Sequence, residues 1–363
     1  MTTQEAVTPL YNAHLKLNGK MVPFAGYLLP VQYQSIIKEA EAVRNGAGMF
    51  DVSHMARLRF TGSDVLEFLE HVTVNDVALL PVGHGHYSFL PNADGGVVDD
   101  IILYHVGPNE YAMVVNAANH AKDVAWLKQN MTGRDVVMVD ETEATAMIAV
   151  QGPTAGSIVA SLSNNPTEFE GAEFFQFVEG KVGGVDCFAA RSGYTGEDGF
   201  ELICAGNSAE QLWDALLGAG VVPCGLGSRD TLRVEAGLPL YGHELTDDRN
   251  PITAGLGWVV AKEKAEFLGS GPIRRAMEDG TSDRLVGVKL QSRRLPQPEM
   301  TVLVNGEPAG TVSSGVYSPL LECGIGFAFV DIKHKFGTEC TVDVRGTQEP
   351  GTIVNKRFFK RAK

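Results

Sequence analysis

The stretch from Gly85 to Val106, GHYSFLPNADGGVVDDIILYHV, is compatible with few structures other than two β-strands joined by a tight turn. Asn92 and the pair Gly95-Gly96 are residue types that tolerate positive φ in hairpin turns, and apolar residues flank them on both sides. An acidic pair, Asp99-Asp100, therefore falls inside the second strand. Because successive side chains of a strand face opposite sides of the sheet, at most one of these carboxylates easily stays in solvent.

The other carboxylate of this pair is expected to point inward. An isolated carboxylate enters an apolar strand only at a cost of a few kcal/mol, so it needs a hydrogen-bond partner, a proton or a ligand. A purely structural alternative is an aspartate that caps a neighbouring turn. The strand pattern alone does not decide between a functional and a structural acid.

The length and composition of the chain, 363 residues of which 44% are hydrophobic and 20% charged, are typical of a globular protein with two or three domains. The N-terminus has no apolar run of secretory length, and no stretch approaches the roughly 18 apolar residues that span a bilayer. The five cysteines are scattered and never spaced as Cys-x-x-Cys, which indicates neither a disulfide framework nor a zinc ribbon. We expect a cytoplasmic protein with no membrane partner, or a mitochondrial matrix protein in a eukaryote, although no transit peptide is present.

The formal net charge of -14 argues against a nucleic-acid partner, because such proteins normally present a basic face. Basic residues do gather in the last eight positions, KRFFKRAK from Lys356 to Lys363, and we expect a frayed, solvated tail there. His84 and His86 lie two apart but have no nearby acids or thiols in the sequence, so no metal site is expected. The GLGW at Gly255 lacks the preceding strand and the spacing of a dinucleotide-binding loop.

Helical and strand patterns alternate along most of the chain, which indicates an α+β protein. The apolar spacing in 35–46 predicts an amphipathic helix that ends at Gly46. Further on, Ser208 with Gln211 resembles a capping box, and Ser228 is expected to cap the next helix, which should end at Gly237. Past about Gly280 short apolar runs alternate with Gly, Asn and Pro, which predicts a small β-barrel domain.

Two strings in the second half could carry chemistry. In RSGYTGEDGFEL, from Arg191 to Leu202, glycines on both sides of Glu197 allow the backbone to turn sharply and present a carboxylate from a loop. A plain hairpin turn with an exposed acid is the alternative. In the second string Arg229 lies in the first turn of a predicted helix, where a guanidinium opposes the helix dipole. We therefore expect a specific acid or ligand to hold Arg229.

Taken together, these strings resemble the aminomethyltransferases, the T proteins of the glycine cleavage system. The match covers nearly the whole chain, and several strings in the right order are far more specific than any one of them. The strings are DVSHM at 51–55, GGVVDD at 95–100, VNA at 115–117, YTGEDG at 194–199, SRDTLRVEAGL at 228–238 and VSSGVYSP at 312–319.

The resemblance implies a tetrahydrofolate-dependent transferase. Such an enzyme takes the aminomethyl group from the reduced lipoyl arm of an H protein and yields 5,10-methylenetetrahydrofolate, ammonia and the dihydrolipoyl carrier. The implied fold is a folate-binding region of two interleaved α/β subdomains around a central cavity, followed by a β-barrel. We expect residues 1–279 to form the folate-binding region, with 49–140 as the inserted subdomain, and 280–363 to form the barrel.

The resemblance also implies roles for single residues. Asp100 corresponds to the essential aspartate of the family, and Glu197 corresponds to the glutamate that recognises the pterin. Arg229 matches an arginine of the folate site. Side chains that line the pterin and benzoyl region are expected at Tyr87, Met55, Asn116 and Tyr194.

Two departures from the family pattern concern the glutamate tail of folate. The family often has an arginine in a Pro-x-Arg context after the first barrel strand, whereas this chain has Arg293-Arg294-Leu-Pro296, and the usual Pro-Phe near the end is replaced by Phe358-Phe359. Two other readings stay open: a related folate-dependent demethylase, and a non-enzymatic folate-binding protein of iron-sulfur assembly. The latter group carries a lysine-glycine-cysteine string that this chain lacks.

Overall fold

The computed structural model describes residues 5–361. Within them the strands are, in chain order, β1 (Ala6–Val7), β2 (Lys20–Phe24), β3 (Tyr27–Gln32), β4 (Gly48–Asp51), β5 (Ala56–Thr61), β6 (Gly85–Pro91), β7 (Val97–Gly107), β8 (Glu110–Val115), β9 (Val137–Asp140), β10 (Thr145–Gln151), β11 (Phe177–Val182), β12 (Val185–Ala190), β13 (Gly199–Ala205), β14 (Val222–Pro223), β15 (Asp283–Leu290), β16 (Thr301–Val304), β17 (Glu307–Ser318), β18 (Cys323–Asp331), β19 (Glu339–Val344) and β20 (Thr347–Val354). The helices are α1 (Tyr11–Lys16), α2 (Ile36–Asn45), α3 (Val65–Val72), α4 (His120–Asn130), α5 (Ala155–Leu162), α6 (Pro166–Gly171), α7 (Ala209–Gly218), α8 (Leu226–Ala236) and α9 (Ser270–Asp279). No helix in this part of the chain is both long enough and apolar enough to cross a membrane.

A six-stranded sheet in the order β11-β12-β13-β10-β4-β14 forms the first framework of the fold. In it β4 pairs antiparallel with β10, so that Asp51 lies opposite Ile148. The strands β5 to β9 fall between these two partners in sequence and form a separate five-stranded sheet in the order β6-β7-β8-β5-β9. The chain therefore leaves the first sheet after β4, builds the second sheet, and returns to the first at β10.

The predicted hairpin lies in the five-stranded sheet and is confirmed. β6 pairs antiparallel with β7, and Phe89 and Leu90 lie opposite the acidic pair. The side-chain oxygen of Asn92 accepts from the backbone amides of Asp94 and Gly96 at 3.0 and 2.9 Å, which closes the turn. Gly95 has a φ of 83°, and a Cβ at Gly96 would lie 1.7 Å from the carbonyl oxygen of Asp247. The two glycines thus serve different needs, a left-handed backbone and a close approach.

The C-terminal strands close into a six-stranded barrel in the order β15-β18-β17-β16-β19-β20, which confirms the predicted β-barrel and the α+β class. β15 pairs with both β18 and β20, so the barrel leaves no free edge. Buried and more exposed residues alternate along β17, as expected for a strand with one face toward the interior. Valines, among them Val286, Val288 and Val342, fill most of that interior, together with alanines, a leucine, an isoleucine and a cysteine.

Helix α8 joins the barrel to the rest of the fold. It packs against α2 and β3 on one side and against barrel strands β17 and β18 on the other. Arg233 of α8 is buried and donates to the Glu244 carboxylate at 3.0 Å and to the Ser314 hydroxyl at 2.7 Å. Because Arg233 binds side chains from the barrel and from the segment after α8, it fixes the barrel against the rest of the fold.

The helix from the 35–46 pattern forms as predicted, with the Ser35 hydroxyl accepting from the Lys38 amide at 3.2 Å. The two caps expected further on are wrong. The Ser208 side chain makes no capping hydrogen bond, because a 3-10 turn at Gly206–Ser208 leads directly into α7. Helix α8 begins one residue after Gly225, so Ser228 lies inside its first turn and donates to the Gly225 carbonyl oxygen at 2.8 Å.

The C-terminal segment is not a frayed tail, and that expectation is wrong for the described residues up to 361. The amides of Phe358 and Phe359 both donate to the carbonyl oxygen of Glu235, at 2.9 and 2.7 Å. The Arg361 guanidinium lies 3.2 Å from the Asp198 carboxylate. A backbone carbonyl on α8 and a carboxylate between β12 and β13 therefore hold the segment. Ala362 and Lys363 lie outside the described residues.

Candidate active site

The Asp100 carboxylate is held by donors at both of its oxygens. The Tyr87 hydroxyl donates to Oδ2 at 3.0 Å, and the Asn116 side-chain amide donates to Oδ1 at 2.8 Å. Tyr87 comes from β6, Asp100 from β7, and Asn116 directly follows β8, so three neighbouring strands bring these groups together. Two fixed donors set the orientation of a carboxylate that is only partly buried.

Asp99 faces the other way and is fully buried. Its carboxylate accepts from the backbone amide of Asn116 at 2.8 Å, from the side-chain amide of Asn116 at 2.9 Å and from the Asn119 side chain. The prediction that one acid of the pair points inward is confirmed. Since the Asn116 side chain donates to both aspartates, the two acids on opposite faces share one positioning residue.

A third acid, Asp123 of α4, lies against Asp99 and is also fully buried. No N–H or hydroxyl donor among residues 5–361 reaches either oxygen of Asp123. Burial raises the pKa of Asp123 well above its usual range, and the charge of Asp99 raises it further. A proton between these two carboxyls satisfies both of them and leaves one negative charge beside Asp100.

The surroundings of Asp100 place its pKa near neutrality. Burial raises the pKa of Asp100 to about 7, and the nearby Asp99 carboxylate adds to this, whereas the hydrogen bonds from Tyr87 and Asn116 act in the opposite direction. A carboxyl group with such a pKa populates both protonation states at neutral pH. It can therefore stabilise positive charge and also exchange a proton.

Glu197 lies in the loop between β12 and β13, directly after Gly196, whose φ is 77°. The Thr195 hydroxyl accepts from the Glu197 amide at 3.2 Å, and the Arg44 guanidinium donates to Oε1 at 3.1 Å. Burial raises the pKa of Glu197, while the hydrogen bond and charge of Arg44 lower it. Among the described residues Oε2 accepts no hydrogen bond, so this loop presents a nearly buried carboxylate with one oxygen in use and one available.

Arg229 and Tyr194 pack against each other. The guanidinium carbon of Arg229 lies 4.8 Å from the centre of the Tyr194 ring, and the Tyr194 hydroxyl donates to the carbonyl oxygen of Pro239. The Nη1 atom of Arg229 is buried and has no hydrogen-bond partner within residues 5–361. Burial lowers the pKa of Arg229, and the Glu201 carboxylate opposes that shift. Of the two partners expected for Arg229, an acid or a ligand, no acid among the described residues binds Nη1.

Tyr194 links this group to Asp100. Burial raises the pKa of Tyr194, and its position near Asp100 adds to the shift, while Arg233 and Arg229 lower the pKa. The 191–199 loop thus carries Tyr194 beside Asp100 and Arg229, and Glu197 three residues further on. Apart from Met55, the residues expected from the sequence thus form two groups that Tyr194 connects. One is Asp100 with Tyr87 and Asn116, and the other is Tyr194 with Arg229 and Glu197.

Met55 has apolar neighbours. It packs at the edge of the apolar cluster that joins the two sheets, together with Val52, Val114 and Leu232. Residues that the sequence did not single out stand at the site instead. The Trp258 ring stacks on Tyr87 with centroids 6.2 Å apart and is 73% exposed, and Arg44 grips Glu197. The GLGW string containing Trp258 was visible in the sequence, but only as an unsuccessful dinucleotide motif.

One arginine of the string considered for the folate tail has a partner within the barrel. Arg294, one of the two arginines considered for the folate tail, lies 3.2 Å from the Glu349 carboxylate of the barrel. Within residues 5–361 no cluster of three or more His, Cys, Asp or Glu side chains has the arrangement of a metal site.

Comparisons with known proteins match the whole chain. The family model described as the GCVT N-terminal domain matches residues 10–264, and the glycine cleavage T-protein C-terminal barrel domain matches residues 284–360. A protein of Thermus thermophilus named aminomethyltransferase is 48% identical over 95% of this chain and 97% of its own. One of Geobacillus kaustophilus with the same name is 44% identical over 98% and 99%. The crystal structure of glycine cleavage system aminomethyltransferase T from Bartonella henselae superposes with a TM-score of 0.92 at 34% identity, covering 98% of this chain and 99% of that one.

Proposed function

Since this chain belongs to the aminomethyltransferase family, the folate-dependent T proteins of the glycine cleavage system, we propose that it transfers a methylene group to tetrahydrofolate. The donor is the aminomethyl group on the dihydrolipoyl arm of an H protein, and the products are 5,10-methylenetetrahydrofolate and ammonia. The observation that carries this proposal is the Asp100 carboxylate, with both oxygens held by donors and a pKa of about 7.

The free polar atoms of the site fit a folate. A pterin edge offers a ring N–H and an exocyclic amine side by side, and one carboxylate can accept from both. Glu197 has an oxygen available for this, and Arg229 has a buried N–H without a partner among the described residues. Tyr87, Asn116, Tyr194 and Met55 are proposed to line the pterin and benzoyl region. When bound, tetrahydrofolate supplies the two amine nitrogens that receive the one-carbon unit.

Asp100 is proposed to do the electrostatic and acid-base work. Ammonia is a poor leaving group unless protonated, and the methylene carbon gains positive charge as ammonia departs. A carboxylate fixed by Tyr87 and Asn116 stabilises that charge without having to reorient, and it can pass a proton at Oδ1 or Oδ2. The Asn116 side chain also donates to the buried Asp99, and this second contact holds Asn116 in the position from which it donates to Asp100.

The pH dependence of turnover tests this role. We expect kcat to rise through pH of about 7, because Asp100 loses its proton and gains its charge there. Asp99→Asn removes the neighbouring negative charge that raises the pKa of Asp100, so the acidic limb should move to lower pH. Rates of ammonia release across the acid and neutral range measure this. An acidic limb at the same pH in both proteins would argue that another group titrates.

Arg229→Lys tests whether the guanidinium fork is used. Lysine keeps the positive charge but loses the planar donors and the stacking on Tyr194, so folate affinity should fall by about 1–3 kcal/mol. Calorimetric titration with tetrahydrofolate gives the affinity. Wild-type affinity in the lysine variant would mean that only the charge matters, or that Arg229 lies outside the site.

The overall activity is tested by mixing the full chain with tetrahydrofolate and an aminomethylated H protein and measuring ammonia. Release that depends on both reactants supports the proposal. Release of a one-carbon unit from a methylated amine or sulfonium compound, without the H protein, would favour the related demethylases. Folate binding with no turnover of either donor would favour an accessory binding protein.

Domain division and location are also proposals. Residues 1–279 are assigned to the folate-binding region with 49–140 inserted, and 280–363 to the barrel; residues 1–4 and 362–363 lie outside the described part. In support of the insertion, β4 and β10 pair with each other in the six-stranded sheet, although the whole five-stranded sheet lies between them in sequence. The five cysteines are all free and buried, which supports the reducing cytoplasm as the location.

A further inference from the structure

Arg44, at the end of α2, is a residue that the sequence patterns did not single out, and its guanidinium binds the Glu197 carboxylate. Its guanidinium donates from Nε and Nη2 to Oε2 of Glu235, at 3.0 and 2.9 Å. Its Nη1 donates to Oε1 of Glu197 at 3.1 Å and to the carbonyl oxygen of Thr195 at 2.9 Å. The side chain is only 8% exposed, so these contacts are shielded from water. One planar fork thus binds two separate carboxylates.

The Glu235 end of this arrangement is anchored. Glu235 is fully buried on α8, and its second oxygen, Oε1, accepts from the Ser318 hydroxyl of the barrel at 2.5 Å. Its backbone oxygen accepts the amides of Phe358 and Phe359. The Phe359 ring lies 3.7 Å from the guanidinium carbon of Arg44. Helix α8, the barrel and the C-terminal segment therefore fix Arg44 in one position.

The Glu197 end is different, because that carboxylate has an oxygen left over. Arg44 donates to Oε1 of Glu197, and the Thr195 hydroxyl accepts from the Glu197 amide. Oε2 of Glu197 accepts no hydrogen bond from the described residues. We propose that Arg44 is a positioning residue for folate binding, which holds the Glu197 carboxylate by Oε1 and presents Oε2 to the donor pair of a pterin. This inference rests on the proposed role of Glu197.

The charges around Glu197 give the arrangement a pH signature. Burial raises the pKa of Glu197; Arg44 and Arg361 lower it, and Glu235 raises it. Removing the charge of Arg44 leaves burial and Glu235 less opposed, so the pKa of Glu197 rises. A carboxylate that must be ionised to bind a ligand then loses that ligand at higher pH as the solution is acidified.

The test is calorimetric titration of the full chain with tetrahydrofolate at several pH values. Arg44→Lys keeps the charge but can reach fewer of the acceptors, and affinity should fall about tenfold. In Arg44→Gln the affinity for tetrahydrofolate should fall further. On acidification this variant should begin to lose affinity at a higher pH than the wild type does. The matched control is Arg191→Lys: Arg191 grips the adjacent Asp198 and two backbone carbonyls of the same region but does not touch Glu197. Its affinity should stay within about twofold of the wild type.

A double-mutant cycle separates positioning from general structural support. If Arg44 acts through Glu197, Arg44→Lys combined with Glu197→Gln should bind no more weakly than Glu197→Gln alone. Additive losses would overturn the inference, as would unchanged affinity in both Arg44 variants with an unchanged melting temperature. If Glu197→Gln itself has no effect, it is the proposed folate role of Glu197 that fails. If Arg44→Gln does not fold, Arg44→Lys and Phe359→Leu replace it in the test. Phe359→Leu removes the ring that covers the Arg44 guanidinium, and both variants are expected to weaken binding.

Discussion

Replacing Asp100 with asparagine is expected to lower turnover by about 10²–10⁴-fold while leaving folate affinity within a few-fold. Asparagine has nearly the same shape. Its oxygen can still accept from the Asn116 amide, and the Tyr87 hydroxyl can turn to accept from its NH₂ group, so the side chain keeps its place. What disappears is the negative charge that stabilises the departing ammonia and the methylene carbon. This contribution belongs to the transition state more than to binding, and so the loss should fall on kcat. Stopped assays of ammonia release and folate titration on the same preparation measure the two quantities.

Asp99→Asn is the matched control, because it makes the same chemical change on the opposite face of β7. Asp99 is fully buried behind Asn116. At pH values above the acidic limb, Asp99→Asn should therefore lower turnover much less than Asp100→Asn does. If Asp99→Asn is the more damaging in turnover, the wrong face of the strand has been assigned. If neither variant slows ammonia release, the acidic pair is structural and the mechanism fails.

The hairpin that carries this pair could be predicted from the sequence because its determinants are local. Asn92 and the two glycines meet the needs of the turn, and the alternation of side chains along the strand places the two acids on opposite faces. That the C-terminal part is rich in strands could be predicted for the same reason, since its apolar runs are separated by turn residues. The strand order could not, because β15 pairs with β18 and β20, which lie far from it in the chain.

The helix starts show where local patterns fail. Ser228 is a residue type favoured at helix N-caps, yet α8 begins earlier because the Glu39 carboxylate of α2 accepts from the Gly225 amide at 2.9 Å. A carboxylate from a distant helix thus serves the amide that leads into α8. No spacing rule around residue 228 contains that information.

Arg44 could not be found from the sequence for a similar reason. Its partners Glu197 and Glu235 are 153 and 191 residues away in the chain. At the sequence level Arg44 is an ordinary basic residue in the last turn of an amphipathic helix, where it also suits the helix dipole. The C-terminal segment is a similar case, because its basic composition is typical of an exposed tail. The partners that hold it, the Glu235 backbone oxygen and the Asp198 carboxylate, come from distant parts of the chain.

Glu197→Gln is expected to weaken tetrahydrofolate binding by about 1–3 kcal/mol, or about 5- to 150-fold. The glutamine amide oxygen can still accept from Arg44, as Oε1 of Glu197 does. The remaining atom then becomes an NH₂ donor that faces the donor pair of the pterin edge, so one attractive contact is lost and a repulsive one is gained. Calorimetric titration gives the change directly, and turnover at saturating folate should fall less than affinity does.

Asp198→Asn makes the same change at the next residue of the loop and serves as the control. Asp198 pairs with Arg191 at 2.7 Å and with Arg361 at 3.2 Å, and none of its contacts involves Glu197. Loss of an ion pair that is only partly buried should leave folate affinity within about twofold. Equal losses in the two variants would mean that the loop as a whole responds to a missing charge. Wild-type affinity in Glu197→Gln would remove Glu197 from the folate site and leave Arg229 as the group to examine.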